Sequence, residues 1–313
     1  MQTVRHAHRL SLTILVAGTL VANTVNAQQP SIGAASWSAV DEALGRKGAT
    51  QPGDVMKYSF PRSDLQVTVN GVQLKPALAL GSWIAFKRTG RSAAMMGDLV
   101  LAEDEVAPVM RALQQAGVEQ TALHNHLLGE SPRVMYMHVM GHGDPAKLAQ
   151  AVRTALGETK TPMEAPDASP APASAIDLDT AAIASALGVT GKVNGGVYQV
   201  SVPRRERVTD HGMEVPPSMG VATAINFQPT GGRKAAITGD FVMIASEVNP
   251  VIRALQENGI TVTALHSHML TESPRLLFMH FWANDDAATL AKGLRAALDR
   301  MAVKTPAKTT MKR

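Results

Sequence analysis

The chain carries one polar motif twice, with a spacing of 142 residues. Residues 122–138 read ALHNHLLGESPRVMYMH, and residues 264–280 read ALHSHMLTESPRLLFMH. Two copies of a fold must share an apolar pattern, but they do not need the same histidines, glutamate and arginine. The recurrence therefore predicts two copies of one polar site, or one composite site where the copies meet. The recurring pairs are His124/His266, His126/His268, Glu130/Glu272, Arg133/Arg275 and His138/His280.

The repeat divides most of the chain into equivalent parts. Pro61-Arg62 recurs as Pro203-Arg204, and Gly97-Asp98 recurs as Gly239-Asp240. A stretch rich in Pro, Ala and Ser separates the copies and is typical of an exposed linker. We predict a first repeat domain at 37–157, a linker at 158–175, a second repeat domain at 176–302 and a basic tail at 303–313.

The first residues, 1–27, predict a cleaved signal peptide. Arg5 and Arg9 precede the apolar run 10–25, which ends near a cleavage-site pattern at Ala27. This run is too short for a membrane-spanning helix, and no later run is long enough. We therefore expect a periplasmic or secreted protein with no transmembrane segment after signal removal. The absence of cysteine excludes disulfides, thiolate ligands and a thiol nucleophile.

Charge and composition argue against nucleic acid as a partner. The formal net charge is +4, but the signal peptide and the tail contain six of the basic residues. The remaining body is near neutral or slightly acidic, so the high isoelectric point does not indicate a basic binding surface. Aromatic residues make up only 4% of the chain, which disfavours a platform for stacking bases.

Each repeat predicts an α+β domain in which an antiparallel-rich sheet is packed by helices. In the first repeat we predict helices at 37–44, 106–116 and 145–156, with Asp144 as the N-cap of the last. We predict strands at 55–60, 65–69, 77–86, 94–102, 120–128 and 134–140. The second repeat follows the same order.

The histidine spacing suits a metal ion. His124 and His126 alternate along a predicted strand and so face one side, where two imidazoles can reach one cation. A tight hairpin would unite these two with either His138 or Glu130; uniting all four needs a bulge, with which Pro132 is compatible. Three imidazoles and a carboxylate suit Zn²⁺, Mn²⁺, Fe²⁺ or Cu²⁺.

The motif assigns a role to each recurring residue. Glu130 and Glu272 are interpreted as ligands or as the catalytic base for metal-assisted hydrolysis. Arg133 and Arg275 suit bidentate binding of an anionic group. The predicted metal ligands are His124, His126, His138, His266, His268 and His280.

Two other interpretations stay open. A non-catalytic binding protein could use the same residues, without metal, for a small anionic ligand or a protein partner. Alternatively, the histidines could be structural, with Glu130 and Arg133 forming an ion pair that stiffens the turn. Asp98 and Asp240 follow glycine at predicted strands, and we interpret them as turn residues rather than as acids of the site.

The segments 122–133 and 264–275 resemble the signature of the DUF1259 family, which includes LppY/LpqO-type exported lipoproteins. The resemblance covers nearly all of the chain after the signal peptide. It implies an exported bacterial protein built of paired repeats, and it implies no biochemical activity. Those lipoproteins attach through a cysteine, which this chain lacks, so lipidation is not carried over.

Overall fold

The computed structural model describes residues 37–90, 92–164 and 176–304. These residues belong to one compact unit. The predicted signal peptide, the second half of the predicted linker and the tail after Lys304 lie outside the described residues. None of the described helices has the length and apolar character needed to cross a membrane.

The first repeat is built on one antiparallel six-stranded sheet in the order β1-β2-β5-β6-β9-β7, beside a small sheet in the order β4-β3-β8. The helices are α1 (Ser38–Leu44), α2 (Pro76–Ala79), α3 (Val106–Gln115) and α4 (Pro145–Leu156). The strands are β1 (Ala49–Gln51), β2 (Val55–Pro61), β3 (Thr68–Val69), β4 (Val72–Gln73), β5 (Gly81–Thr89), β6 (Ser92–Ala102), β7 (Glu119–His124), β8 (Glu130–Ser131) and β9 (Val134–Gly143).

The second repeat has a six-stranded sheet with the equivalent order, β10-β11-β14-β15-β17-β16, and a separate β12-β13 pair. The helices are α5 (Thr180–Leu187), α6 (Ala245–Glu257) and α7 (Ala287–Leu298). The strands are β10 (Lys192–Asn194), β11 (Val197–Pro203), β12 (Thr209–Asp210), β13 (Met213–Glu214), β14 (Ala222–Gly231), β15 (Lys234–Met243), β16 (Thr261–His266) and β17 (Leu277–Asp286). The predicted α+β fold with tandem repeats is confirmed.

Some predicted boundaries are wrong, for local reasons. The predicted strand at 77–86 begins as the short helix α2, because Pro76 sets a helical first turn. The predicted strand at 120–128 ends at His124, where the Asn125 side chain donates to the Leu127 carbonyl and closes a turn. The helix prediction for 145–156 is confirmed, including its cap: the Asp144 carboxylate accepts from the amides of Ala146 and Lys147.

Helices cover one face of each sheet. In the first repeat, Val109 of α3 and Val152 of α4 share a buried cluster with Phe86 and Met137 of the sheet. In the second, Val251 of α6 and Leu294 of α7 belong to the equivalent cluster. Apolar burial of this kind contributes the main stabilisation of each repeat.

The other faces of the two sheets pack against each other. Two buried clusters mix residues of both repeats: Met96 and Met140 with Val242 and Phe278 in one, and Tyr136 with Trp282 in the other. The layers therefore run helices, sheet, sheet, helices. A polar group on either inner sheet face lies between the repeats.

Each repeat also packs a short element onto the sheet of the other. The helix α2 of the first repeat lies on the second sheet, where Gln199 and Asn226 donate to the carbonyls of Ala77 and Leu78. In return, the 3-10 turn Pro217–Met219 of the second repeat packs against β5 of the first. Each repeat therefore packs an element onto the sheet of the other, and the two belong to one unit.

A buried arginine anchors the same corner of each repeat. Arg62 donates to Glu105, Asp64 and the Val100 carbonyl, and its side chain is fully buried. Arg204 makes the equivalent bonds to Glu247, Glu206 and the Val242 carbonyl. This recurrence explains the repeated Pro-Arg pair as a structural feature.

The start of the predicted linker packs on the first repeat. Arg46 donates to the carbonyls of Met163 and Glu164, and Thr161 is buried. The Lys160 amide donates to Glu105, which ties this segment to the Arg62 network. Residues 158–164 therefore extend the first repeat, and residues 165–175 lie outside the described ranges.

Candidate metal centre

The edge strands β7 and β16 bring the two motifs together. The hydroxyl of Thr121 donates to the carbonyl of His268 at 2.6 Å, and the hydroxyl of Thr263 donates to the carbonyl of His126 at 2.5 Å. These threonines are equivalent in the two repeats. The paired bonds therefore place the two His-x-His segments side by side, related by a pseudo-two-fold axis.

Strand register turns the histidines toward the space between the sheets. On β9, Tyr136 pairs with His124, and His138 pairs with Ala122, so the side chains of His124 and His138 share one face. The equivalent pairing on β17 places His266 and His280 together. His126 and His268 lie just beyond the ends of their strands. The hairpin thus unites the three histidines of each repeat.

The imidazole rings stack across the repeats. Ring centroids are 3.6 Å apart for His124 and His266, 3.7 Å for His126 and His280, and 3.6 Å for His138 and His268. Exchanging the repeats maps the first pair onto itself and swaps the other two. The six side chains therefore form one cluster at the axis, so the two motifs build a composite centre.

Ligand atoms in this cluster come close enough to share a cation. Their nitrogens fall into two groups, each with all its atoms within 4.8 Å of one another. One group contains His124, His126 and His138. The other contains His266, His268, His280 and again His124.

Most of these nitrogens have no protein partner. The buried Nε2 atoms of all six histidines make no hydrogen bond to the residues that the structure describes. A buried polar group left unpaired costs roughly 1–3 kcal/mol. Among the Nδ1 atoms, that of His280 donates to the Gly239 carbonyl at 2.7 Å, which leaves its Nε2 as a free lone pair. Buried imidazole nitrogens without a hydrogen-bond partner fit the ligands of a metal ion.

Burial keeps the imidazoles uncharged. It lowers the pKa of His124 to about 3, with a further contribution from His266, and it lowers the pKa of His266 to about 4. The pKa values of His126, His138, His268 and His280 lie well below the ordinary value, because burial and the neighbouring imidazoles disfavour the charged form. At neutral pH the cluster therefore offers lone pairs rather than positive charge.

Two aspartates belong to the centre, so the turn interpretation of Asp98 and Asp240 is wrong. Both lie inside long strands, where they pair with His138 and His280. A carboxylate oxygen of Asp98 is 3.9 Å from Nε2 of His138, and one of Asp240 is 3.7 Å from Nε2 of His268.

The preceding glycines mark close strand contacts rather than turns. A Cβ on Gly97 would lie 2.7 Å from the Trp83 carbonyl oxygen, and one on Gly239 would lie 1.9 Å from the Ala224 carbonyl oxygen. The repeated Gly-Asp was the sequence signal for these acids, and period-two alternation with the histidine strand could have found them.

The carboxylates are perturbed by their surroundings. Burial raises the pKa of Asp98 to about 7, and a nearby lysine, Lys57, partly opposes this. Burial, followed by repulsion from Asp98, raises the pKa of Asp240 well above its usual value. Burial and mutual repulsion therefore favour the neutral forms of these acids, and a cation bound beside them would favour the ionised forms.

Lys57 gives the centre a positive charge on one side only. Its ammonium group lies 4.0 Å from the centroid of the Trp83 ring. Burial lowers the pKa of Lys57 to about 8, and Asp98 partly offsets this. The sequence prediction missed Lys57 because it lies outside the motif and has no lysine counterpart.

Glu130 and Glu272 have different environments. The Glu272 carboxylate accepts from Arg275 at 3.1 Å and from the Leu276 amide at 2.9 Å, so it stabilises the loop. The Oε1 atom of Glu130 is buried without a hydrogen-bond partner, and burial raises the Glu130 pKa. Neither glutamate belongs to the two groups of candidate ligands, and a catalytic role for either stays a prediction.

Each of the two motif arginines contacts a glutamate of its own repeat. Arg275 donates to Glu272 and to the Met269 carbonyl. Arg133 lies 3.8 Å from Glu103, and both side chains are more than 60% exposed. Binding of an anion by Arg133 or Arg275 stays a prediction.

Known proteins identify the family but no activity. The profile of the family described as Domain of Unknown Function (DUF1259) matches residues 38–158 and 181–300. No curated protein matches the chain. The closer likeness to LppY/LpqO-type lipoproteins therefore stays a prediction.

Two solved structures share a weak likeness with this chain. One is a trimeric bacterial microcompartment shell protein, PduB, with 14% identity and a TM-score of 0.21 over 81% of this chain and 89% of that chain. Another is EtuB from Clostridium kluyveri, with 11% identity and a TM-score of 0.19 over 80% of this chain and 90% of that chain. At these TM-scores the likeness supports no conclusion about this protein.

Proposed function

The chain belongs to the DUF1259 family, and we propose that it binds a divalent transition metal at a centre shared by its two repeats. One observation carries this proposal: six histidines from both repeats converge between the sheets, with buried Nε2 atoms that have no partner among the described residues. Coordination would satisfy these atoms and offset the cost of burying them.

The electrostatics favour a cation over an anion. The imidazoles are uncharged because burial lowers their pKa values, so they offer an anion no positive charge. Burial raises the pKa values of Asp98 and Asp240 and favours their neutral forms, and a bound cation would favour their ionised forms. Among the described residues around the cluster, an anion would meet one cation, Lys57.

The donor set favours some metals over others. Imidazole nitrogen suits Zn²⁺, Cu²⁺ and Fe²⁺, whereas Mg²⁺ and Ca²⁺ prefer oxygen ligands. Mn²⁺ stays among the candidates because two carboxylates lie within 4 Å of the imidazoles. The chain has no cysteine, so soft thiolate coordination is excluded.

Hydrolysis assisted by the metal is our proposal for the chemistry. A bound ion of this kind acts as a Lewis acid. Glu130 would accept a proton from the water that the hydrolysis consumes, because its buried Oε1 is not engaged in a hydrogen bond. The carboxylate of Glu272 is instead held by Arg275. We also propose that the protein works outside the cytoplasm, on the strength of the signal-peptide pattern in residues 1–27.

Metal content tests the proposal directly. The protein is purified without a metal-binding tag, stripped with chelator, incubated separately with Zn²⁺, Mn²⁺, Cu²⁺ and, without oxygen, Fe²⁺, then desalted and measured by elemental analysis. The test variant changes His124, His126, His266 and His268 to Ala. The control changes the exposed pair His142 and His211 to Ala; they contact each other outside the cluster.

We expect the wild type and the control to retain metal and to unfold at a higher temperature with it. The quadruple variant should retain none, and circular dichroism establishes that it is folded. Absence of all four metals from the wild type would overturn the proposal. Stabilisation by phosphate or a carboxylate in that case would support the alternative of an anion-binding protein, with Lys57 as the buried cation.

A further inference from the structure

We propose that the centre holds two metal ions, one for each repeat. This rests on the proposed metal-binding function and concerns how many ions the six histidines hold. The observation behind it is that the ligand atoms form two groups rather than one.

The grouping follows the repeats. His126 and His138 fall in one group, whereas His268 and His280 fall in the other. Only His124, at the pseudo-two-fold axis, belongs to both. The six imidazoles therefore do not converge on one point, so a single ion cannot engage them all.

The spread within each group suits one ion. Two nitrogens on a tetrahedral Zn²⁺ are roughly 3.3 Å apart when each bond is about 2.0 Å. The nitrogens of each group lie within 4.8 Å, a difference that small side-chain rotations can close. Ring centroids within a repeat are also evenly spaced: His124 lies 5.1 Å from both His126 and His138, and His266 lies 4.9 Å from both His268 and His280.

The acids follow the same division. Asp98 lies beside His138 in the first group, and Asp240 lies beside His268 in the second. Each has a buried Oδ1 without a hydrogen-bond partner among the described residues. One ion in each group would be next to one carboxylate, whereas a single ion in one group would leave the other carboxylate and its imidazoles unpaired.

Stoichiometry tests the inference. The stripped full-length protein is titrated with Zn²⁺, and bound ions are counted by native mass spectrometry and by elemental analysis after desalting. We expect two ions in the wild type. Two double variants, His126→Ala/His138→Ala and His268→Ala/His280→Ala, should each retain one ion at the opposite group.

The outcomes separate the two proposals. Two ions in the wild type support both. One ion leaves metal binding intact and overturns the two-ion inference. No bound Zn²⁺, with Mn²⁺, Fe²⁺ and Cu²⁺ also unbound, overturns both.

A spectroscopic measurement replaces the variants if they fail to fold. Cu²⁺ is bound tightly by imidazole ligands. In wild type saturated with Cu²⁺, electron paramagnetic resonance should show coupling between two nearby copper ions. A spectrum of isolated copper at full saturation would contradict the inference.

Discussion

In the first repeat Lys57 lies beside Asp98, whereas the second repeat places Gln199 at the equivalent position, where it donates to the Ala77 carbonyl of α2. Tyr136 and Phe278 differ in the same way: each ring stacks on a histidine, but only Tyr136 has a hydroxyl, which donates to the Ala79 carbonyl. Both differences lie around the histidines and leave the histidines themselves unchanged.

The glutamates show the same divergence. Glu272 is held by Arg275 and by a backbone amide, whereas the Oε1 of Glu130 is free. Among the described residues, the repeats thus share the histidines and the Arg62/Arg204 anchors, but only the first has a lysine near its aspartate and a glutamate with an unpartnered buried Oε1.

Replacement of either arginine anchor should lower the stability of the fold more than any other change, and the loss should be similar in the two repeats. Arg62→Met or Arg204→Met leaves Glu105 or Glu247 buried without its partner, which typically costs about 3–5 kcal/mol. Urea unfolding of the metal-free protein measures the cost. Arg207→Met is the control, because the ion pair of Arg207 with Glu214 is exposed and contributes less than about 1 kcal/mol.

A loss of stability in only one of the two variants would contradict the equivalence of the two arginine anchors.

The pH dependence of stability gives a second test, which concerns Glu247. Burial alone would raise its pKa, but hydrogen bonds from Arg204 and from two backbone amides outweigh this and lower it. The stabilisation is therefore present above the pKa of an unfolded glutamate and is lost as the pH falls through the lower folded value. The difference in the free energy of unfolding between wild type and Arg204→Met should therefore become smaller at acid pH.

The glutamates should behave differently from each other. Glu272→Gln loses charge-assisted bonds to Arg275 and Leu276, and we expect it to destabilise the fold by about 1–2 kcal/mol. Glu130→Gln should be as stable as wild type or more stable at pH 7, because burial raises the Glu130 pKa and so disfavours its charge in the folded state.

Urea midpoints at two pH values measure this difference. Below the pKa of an unfolded glutamate, about 4.3, Glu130 is neutral in both states, and any gain from Glu130→Gln should disappear. Equal losses of stability for both variants at pH 7 would contradict the assignment of Glu272 to structure and Glu130 to chemistry.

Lys57 should have the smallest effect, and it should act on metal affinity. Lys57→Gln copies the second repeat and removes a positive charge near Asp98, so we expect Zn²⁺ to bind roughly tenfold more tightly. Competition with a chromogenic chelator measures the affinity. Lys292→Gln, on the exposed side of α7, is the control, and an equal gain there would show that only the overall charge matters.

Much of the fold could be predicted from the sequence because its determinants are local. The helix after Asp144 follows from a side-chain cap and an apolar face, and both are present in the structure. The paired repeats and their antiparallel sheets follow from alternation and recurrence. Strand ends were less predictable: the extension of β7 to residue 128 is wrong because a loop begins after His124.

The centre was predictable only in part. The candidate ligands follow from the duplicated motif, but the environment of Asp98 requires the strand register, which places it opposite His138. Lys57 lies over the Trp83 ring and near Asp98, and no sequence motif predicts that position. Side chains that meet through packing alone carry no local signal.

The duplicated motif was enough to predict two α+β repeats with the same histidines, because recurrence and strand alternation are visible in neighbouring residues. The joining of the two motifs into one cluster was visible only in the folded chain, since contacts such as His124 with His266 join residues far apart in the sequence. Strand alternation determines on which face of a sheet a side chain lies. Which residues it contacts there depends on how the two sheets pack, and that packing depends on the fit of many apolar side chains.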